Sequence, residues 1–96
     1  MAEGKGDITV TVRIRGRVQG VWFRAWTVEQ ASLRRLRGWV RNRRDGSVEA
    51  IVAGADEDVE AMVAWARRGP PAARVGAVSV EAASGEFDRF DIAPSV

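Results

Sequence analysis

Residues 8–15 alternate between apolar and polar side chains, and this alternation constrains the fold more than any other feature of the chain. The apolar positions are β-branched: Ile8, Val10, Val12 and Ile14. Successive side chains of a strand point to opposite faces, so a period of two predicts a strand with one buried face. The rest of the chain must therefore cover one face of a sheet.

Further strands and a first helix follow along the chain. Residues 23–36 predict a helix, although its apolar residues scatter around the helical wheel, and Gly38 is expected to end it. A second strand is predicted from Trp39 to Arg43. Asp45-Gly46 is a strong hairpin signal, and it predicts a third strand over Ser47–Gly54. The first half of the chain therefore reads as β-α-β-β.

The second half of the chain is predicted to contain one helix and two further strands. Acidic residues at 56–58 suit a helix N-terminus, Arg67 and Arg68 suit its last turn, and Gly69 with Pro70-Pro71 ends it. Apolar residues predict a fourth strand around Val75, Val78 and Val80 and a short final one around Phe87, Phe90 and Ile92. The order β-α-β-β-α-β predicts an α+β ferredoxin-like two-layer sandwich, with a mostly antiparallel sheet and both helices on one face.

Length and composition limit the organisation and the chemistry. The 96 residues fit one domain, which we place at 8–93 after a flexible N-terminal extension of residues 1–7. The chain has no cysteine and no histidine, which excludes thiolate and histidine catalysis and cysteine-based metal sites. It has no apolar run of membrane-spanning length and no signal-peptide segment. We therefore expect a cytoplasmic, metal-independent protein without a membrane partner.

The segment Gly16-Arg17-Val18-Gln19-Gly20-Val21-Trp22-Phe23-Arg24 suggests an anion site. A glycine turn between a strand and a helix can aim backbone N–H groups at an anion, and the helix N-terminus adds its own. Arg24 would add a planar fork of donors that suits phosphate oxygens. No Lys-Ser/Thr pair follows the second glycine, so the segment is not a Walker loop. Taken alone, the same spacing also fits an ordinary tight turn followed by a surface arginine.

Positive charge is concentrated in the first half of the chain. Residues 13–44 contain ten arginines and one acidic residue, Glu29. Such an excess favours an anionic ligand, either a small phosphate compound or a nucleic acid. Several of these arginines also fit a solvated face, so the excess does not identify the ligand.

The glycine turn, together with Gly38-Trp39-Val40-Arg41-Asn42 and Asp45-Gly46-Ser47-Val48-Glu49, resembles the acylphosphatase family. The resemblance extends to Arg68-Gly69-Pro70-Pro71, Ala73-Arg74-Val75 and Phe90-Asp91-Ile92, and so covers the chain from about Ile8 to Ile92. It implies a small monomeric hydrolase that converts acyl phosphates to carboxylate and inorganic phosphate, with no metal or cofactor. Arg34, Arg35 and Arg89 stand where members often have leucine or glycine, which affects the expected packing.

The resemblance also implies roles for individual residues. Arg24 matches the family's phosphate-binding arginine, and Asn42 matches the asparagine that positions the attacking water. The phosphate-binding loop matches residues 17–22, namely Arg17, Val18, Gln19, Gly20, Val21 and Trp22. We expect the strand that carries Asn42 to lie beside the strand that leads into this loop, so that the asparagine reaches the same end of the sheet.

Three other functions fit parts of the pattern. A nucleic-acid-binding module of the same topology would use the arginine excess, but the predicted third strand has none of the aromatic residues that stack on bases. The chain could be an acylphosphatase-like domain of a larger carbamoyl-transferring factor for hydrogenase maturation. It could also be a regulatory protein that binds phosphate without turnover.

Overall fold

The computed structural model describes residues 6–96, which contain five strands and two helices. In chain order they are β1 Asp7–Arg17, α1 Phe23–Leu33, β2 Arg37–Asn42, β3 Val48–Ala55, α2 Asp56–Arg68, β4 Arg74–Ala82 and β5 Phe90–Ile92. This order confirms the predicted β-α-β-β-α-β arrangement and the short strand at its end. Within residues 6–96, neither helix has the length and apolar character of a membrane-spanning segment.

The strands form one sheet in the order β4-β1-β3-β2-β5. All neighbouring strands are antiparallel except β2 and β5, which pair in parallel. The prediction of a mostly antiparallel sheet is therefore confirmed. Because β1 and β2 are each antiparallel to β3, they run in the same direction and end at the same edge of the sheet.

The core lies between the two helices and one face of the sheet. On β1, the alternation buries Val12 and Ile14. The buried residues of α2 lie three and four positions apart, as expected for one helical face, and are Val59, Met62 and Ala66. Arg13 and Glu49 lie opposite each other on the other face of the sheet. The predicted half-buried strand thus divides an apolar core from a charged surface.

The first helix is shorter than predicted and ends at Leu33 instead of residue 36. Arg35 has a φ of 57°, its N–H donates to Ser32 O at 3.1 Å, and the Leu36 N–H donates to Ala31 O at 2.9 Å. This pair of bonds is the Schellman ending, in which the residue with positive φ is usually glycine. Here an arginine occupies that position, so no glycine marks the true end of the helix.

Other element boundaries differ from the prediction by a few residues. Gly38 does not end the helix but lies inside β2, where a Cβ would collide with the backbone carbonyl of Ile51. Phe87 lies outside β5, which begins only at Phe90. Of the predicted N-terminal extension 1–7, residues 1–5 lie outside the described residues, and Asp7 is the first residue of β1.

Candidate active site

The chain passes from β1 to α1 through residues 18–22, the β1–α1 loop. Buried residues hold it at both ends, since Val18 is 1% exposed and Phe23, the first residue of α1, is 2% exposed. Between them, Gly20 and Trp22 have left-handed backbone conformations, with φ of 74° and 67°. The loop is thus a tight turn with its ends fixed in the core.

The backbone N–H groups of this turn are largely free. Within residues 6–96, no N–H from Gln19 to Ala25 donates to a backbone carbonyl, and the first helical bond runs from Trp26 N–H to Trp22 O at 3.0 Å. The first turn of α1 contains no acidic residue. Free N–H groups at a helix N-terminus attract anions, both as donors and through the helix dipole. The turn therefore has the donors that a phosphoryl group needs.

Arg24 adds a positive charge beside these donors. It is the second residue of α1, it is half-buried, and it lines the same pocket as Gly20 and Trp22. In the described part of the chain, Arg24 forms no ion pair with a carboxylate. Its guanidinium is therefore available to a ligand.

Asn42 reaches this pocket from the other side of β3. It is the last residue of β2 and lies two positions after the buried Val40, on the sheet face that the helices cover. We expected the strand carrying Asn42 to lie beside β1. It does not, because β3 lies between them. Asn42 nevertheless reaches the site because β1 and β2 end at the same edge.

These elements enclose a pocket of about 440 Å³. Its lining residues are Val18, Gly20, Trp22, Phe23, Arg24, Ala25, Asn42 and Ile92. Arg24 and Asn42 supply its polar side chains, and most of the other lining residues are apolar. One charged fork, one amide and a turn of free N–H groups thus converge on a single concave site.

Gln19 lies in the β1–α1 loop but points away from this pocket. Its side-chain amide donates to Arg43 O at 2.7 Å and to Ser47 O at 2.9 Å. Both carbonyls belong to the turn between β2 and β3, which directly follows Asn42. Gln19 therefore ties the loop to the segment that carries the asparagine.

Comparisons with known proteins identify the family. The family model described as Acylphosphatase matches residues 10–92. An acylphosphatase from Rhizorhabdus wittichii is 60% identical, covering 83% of this chain and 81% of the relative. The chain belongs to the acylphosphatase family. An acylphosphatase structure from Coxiella burnetii, 31% identical, superposes with a TM-score of 0.88 over 91% of this chain and 93% of that one.

The acylphosphatase fold also occurs inside a much larger protein. The structure of full-length HypF, in a phosphate- and nucleotide-bound form, is 26% identical, with a TM-score of 0.88. The match covers 99% of this chain but 13% of HypF. The curated acylphosphatases share more sequence with the chain than HypF does, over most of their own length.

The structure separates the predicted site residues of this acylphosphatase into two groups. Val18, Gly20, Trp22, Arg24 and Asn42 line the pocket. Arg17, Gln19 and Val21 do not: Arg17 ends β1 as an exposed residue, and Val21 packs against the core.

Sequence reasoning missed three lining residues, which are Phe23, Ala25 and Ile92. Phe23 and Ala25 flank Arg24, so the motif itself pointed to their position. Ile92 reaches the site only because β5 pairs with β2, where it lies opposite Val40. No local pattern in the sequence reveals that pairing.

Proposed function

We propose that this acylphosphatase acts through Arg24, Asn42 and the free N–H groups of the β1–α1 loop. The reaction is hydrolysis of the carboxyl–phosphate mixed anhydride of an acyl phosphate. The observation that carries this proposal is that a free guanidinium, a side-chain amide and the loop line one pocket. Asn42 belongs to a different strand, remote in sequence from the loop and Arg24, and nothing in the core requires it to meet them.

In the proposed reaction, Arg24 and the loop N–H groups bind the phosphoryl oxygens. They stabilise the charge that develops there in the transition state. The side-chain amide of Asn42 holds a water molecule for in-line attack on phosphorus. As the new P–O bond forms, the bond to the acyl oxygen breaks and its electron pair leaves with the carboxylate. The proton of the water passes to a phosphoryl oxygen.

The group that holds the water is a weak base, and this limits the class of substrate. An asparagine amide is not a general base, so the water is positioned rather than deprotonated by the protein. The leaving group must then depart readily, as the carboxylate of a mixed anhydride does and the alkoxide of an ordinary phosphate ester does not. We expect turnover without added metal or cofactor, by a monomer acting in the cytoplasm.

Three arginines on the sheet face away from the helices give little support to a nucleic-acid-binding function. Arg13, Arg41 and Arg43 all pair with Glu49, at 3.5, 2.9 and 2.9 Å. Their charge is therefore partly neutralised on the sheet face away from the helices. We propose that the physiological ligand is a small acyl phosphate.

Hydrolysis of an aryl acyl phosphate in the presence of a chelator tests the proposal. Arg24→Ala and Asn42→Ala should each lower kcat/KM, Arg24→Ala by roughly a hundredfold or more. Arg44→Ala removes an exposed arginine of the β2–β3 turn and should stay close to the wild-type value. Folded wild-type protein that binds phosphate without turnover would instead be a binding module. Full turnover in both site variants would show that the assigned residues are wrong.

A further inference from the structure

Trp22 is the most exposed large apolar side chain of the described residues, with 82% of its surface accessible. It also has a φ of 67°, a left-handed conformation that bulky residues adopt rarely because it is sterically strained. Among non-glycine residues in this part of the chain, Arg35 is the only other one with positive φ. A tryptophan at this position therefore contributes neither core packing nor backbone stability.

Ile92 is a second exposed apolar residue at the same pocket. It is 50% exposed at the end of β5, although neighbouring Phe90 on that strand is buried. The other large apolar lining residues, Val18 and Phe23, are 1% and 2% exposed and belong to the core. Among the large apolar residues that line the pocket, Trp22 and Ile92 are thus the exposed ones.

The pocket is larger than phosphoryl binding requires. Its volume of about 440 Å³ lies in the range of sites for small organic molecules. Arg24, Asn42 and the loop N–H groups account for the polar half of an acyl phosphate. The remaining surface has no side-chain charge, and it ends in an indole and a branched aliphatic group.

We propose that Trp22 and Ile92 form an apolar subsite for the acyl group. The chain then prefers acyl phosphates with an aromatic acyl group over acetyl or carbamoyl phosphate. A flat ring gains area and ring–ring contact against the indole, whereas a methyl or amino group gains little. This inference rests on the proposed function, because the acyl group reaches the subsite only when its phosphoryl group is bound at Arg24.

The contribution of the subsite is measured by the ratio of kcat/KM for benzoyl phosphate to kcat/KM for acetyl phosphate. Both substrates have the same reacting group, so phosphoryl-site effects largely cancel in the ratio. Trp22→Ala should lower the ratio about tenfold, and Ile92→Ala should lower it by a smaller factor. Trp65→Ala is the matched control, since it removes a partly exposed tryptophan from α2, outside the pocket, and should leave the ratio unchanged.

Two further measurements keep the result interpretable. Trp22→Gly removes the same indole but accepts the positive φ, so it should show the lowered ratio with a fold at least as stable as the wild type. Inhibition by inorganic phosphate, which lacks an acyl group, should be the same in Ile92→Ala as in the wild type. A benzoyl-to-acetyl ratio that survives in both Trp22 variants would overturn the subsite. Absence of wild-type turnover on either substrate would overturn the proposed function itself.

Discussion

Two glycine turns meet at one edge of the sheet, and they use similar residues for different purposes. The β1–α1 loop contains Gly20 and is followed by Arg24, while the turn between β2 and β3 contains Gly46 and is flanked by Arg43 and Arg44. Both glycines have positive φ, 74° and 92°, and open space where a Cβ would lie. From composition alone, either turn could be the anion site.

Hydrogen bonding distinguishes the two turns. In the β2–β3 turn, the Arg43 N–H donates to Ser47 O at 2.9 Å and the Gly46 N–H to Arg43 O at 3.1 Å. The Ser47 N–H donates to a side-chain oxygen of Asp45 at 2.9 Å. Arg43 itself donates to Glu49 Oε1 at 2.9 Å. These three N–H groups and the charge of Arg43 are thus used internally, whereas the N–H groups from Gln19 to Ala25 and the charge of Arg24 remain available.

The comparison shows what makes an anion site in this fold. Glycine and arginine are present in both turns, so neither residue type decides the function. In the β1–α1 loop, a continuous run of unpaired N–H groups lies beside the half-buried Arg24, which has no carboxylate partner within the described residues and lines the pocket. In the β2–β3 turn, the arginine without an ion pair in residues 6–96 is Arg44, which is exposed and lies outside that pocket. The side chain of Gln19 joins the two turns, so the β2–β3 turn supports the β1–α1 loop.

The largest expected contrast lies between the two arginines. Arg24→Lys keeps the charge but loses the planar fork, and should lower kcat/KM roughly a hundredfold. Arg43→Lys retains a cation beside Glu49 and should change kcat/KM by less than about twofold, since partly exposed ion pairs contribute little. Steady-state kinetics with benzoyl phosphate measures both. Equal losses would mean that both turns act on the substrate.

Much of the fold could be predicted because local sequence patterns indicate where most strands and helices lie. The alternation at 8–15 identified β1, and acids at 56–58 with Arg67, Arg68 and Gly69 gave the bounds of α2. The end of α1 was missed because Arg35 adopts a conformation that usually signals glycine. In each case, the prediction held where the residue type and the backbone geometry agreed.

The candidate site was harder to predict than the fold. The glycine-turn segment suggested Arg24 as an anion ligand, the family resemblance added Asn42, and the structure brings both residues to one pocket. The contribution of Ile92 depends on a parallel pairing of β5 with β2, between segments far apart in the chain. The role of Gln19 as a tie likewise needs the turn at 43–47 in place, which no local pattern shows.

Alanine in place of Gly20 or Gly46 tests the functional difference between the two turns. Gly20→Ala and Gly46→Ala should each destabilise the fold by about 1 kcal/mol, because both positions have positive φ and neither is sterically blocked. Gly20→Ala should also lower kcat/KM about tenfold, because it shifts the loop N–H groups and places a methyl group at the pocket. Gly46→Ala should retain wild-type kcat/KM. Denaturant unfolding and kinetics on the same samples separate the two effects.

Removing the Gln19 tie should have a smaller effect. Gln19→Ala breaks two hydrogen bonds, but the carbonyls of Arg43 and Ser47 each keep a backbone partner. The free energy of unfolding should therefore fall by about 1 kcal/mol. If the tie positions the loop relative to Asn42, kcat should fall more than KM rises. A change in stability with unchanged kcat would reduce Gln19 to a structural role and leave the two turns independent.

A weaker effect is a loss of stability in acid, which we expect to originate in Glu49 on β3 and Asp45 in the β2–β3 turn. For Glu49, burial alone would raise the pKa, but hydrogen bonds from Arg43 and Arg41 outweigh it and hold the pKa below its usual 4.5. Hydrogen bonds from the Ser47 hydroxyl and N–H lower the pKa of Asp45 below its usual 3.8. Carboxylates whose pKa is lower in the folded state stabilise it above their unfolded pKa. That contribution is lost as pH falls through the lower, folded value.

The free energy of unfolding should therefore decrease as pH falls below about 4.5, and Glu49→Gln should flatten this decrease. Glu81→Gln, at an exposed position on β4 without an ion pair in residues 6–96, is the control and should keep the wild-type slope. Residues 17–25 contain no carboxylate, so the β1–α1 loop has no group of its own that titrates in this range. Urea unfolding at a series of pH values measures the slopes. An unchanged slope in Glu49→Gln would show that the acid sensitivity does not come from Glu49 and its arginines.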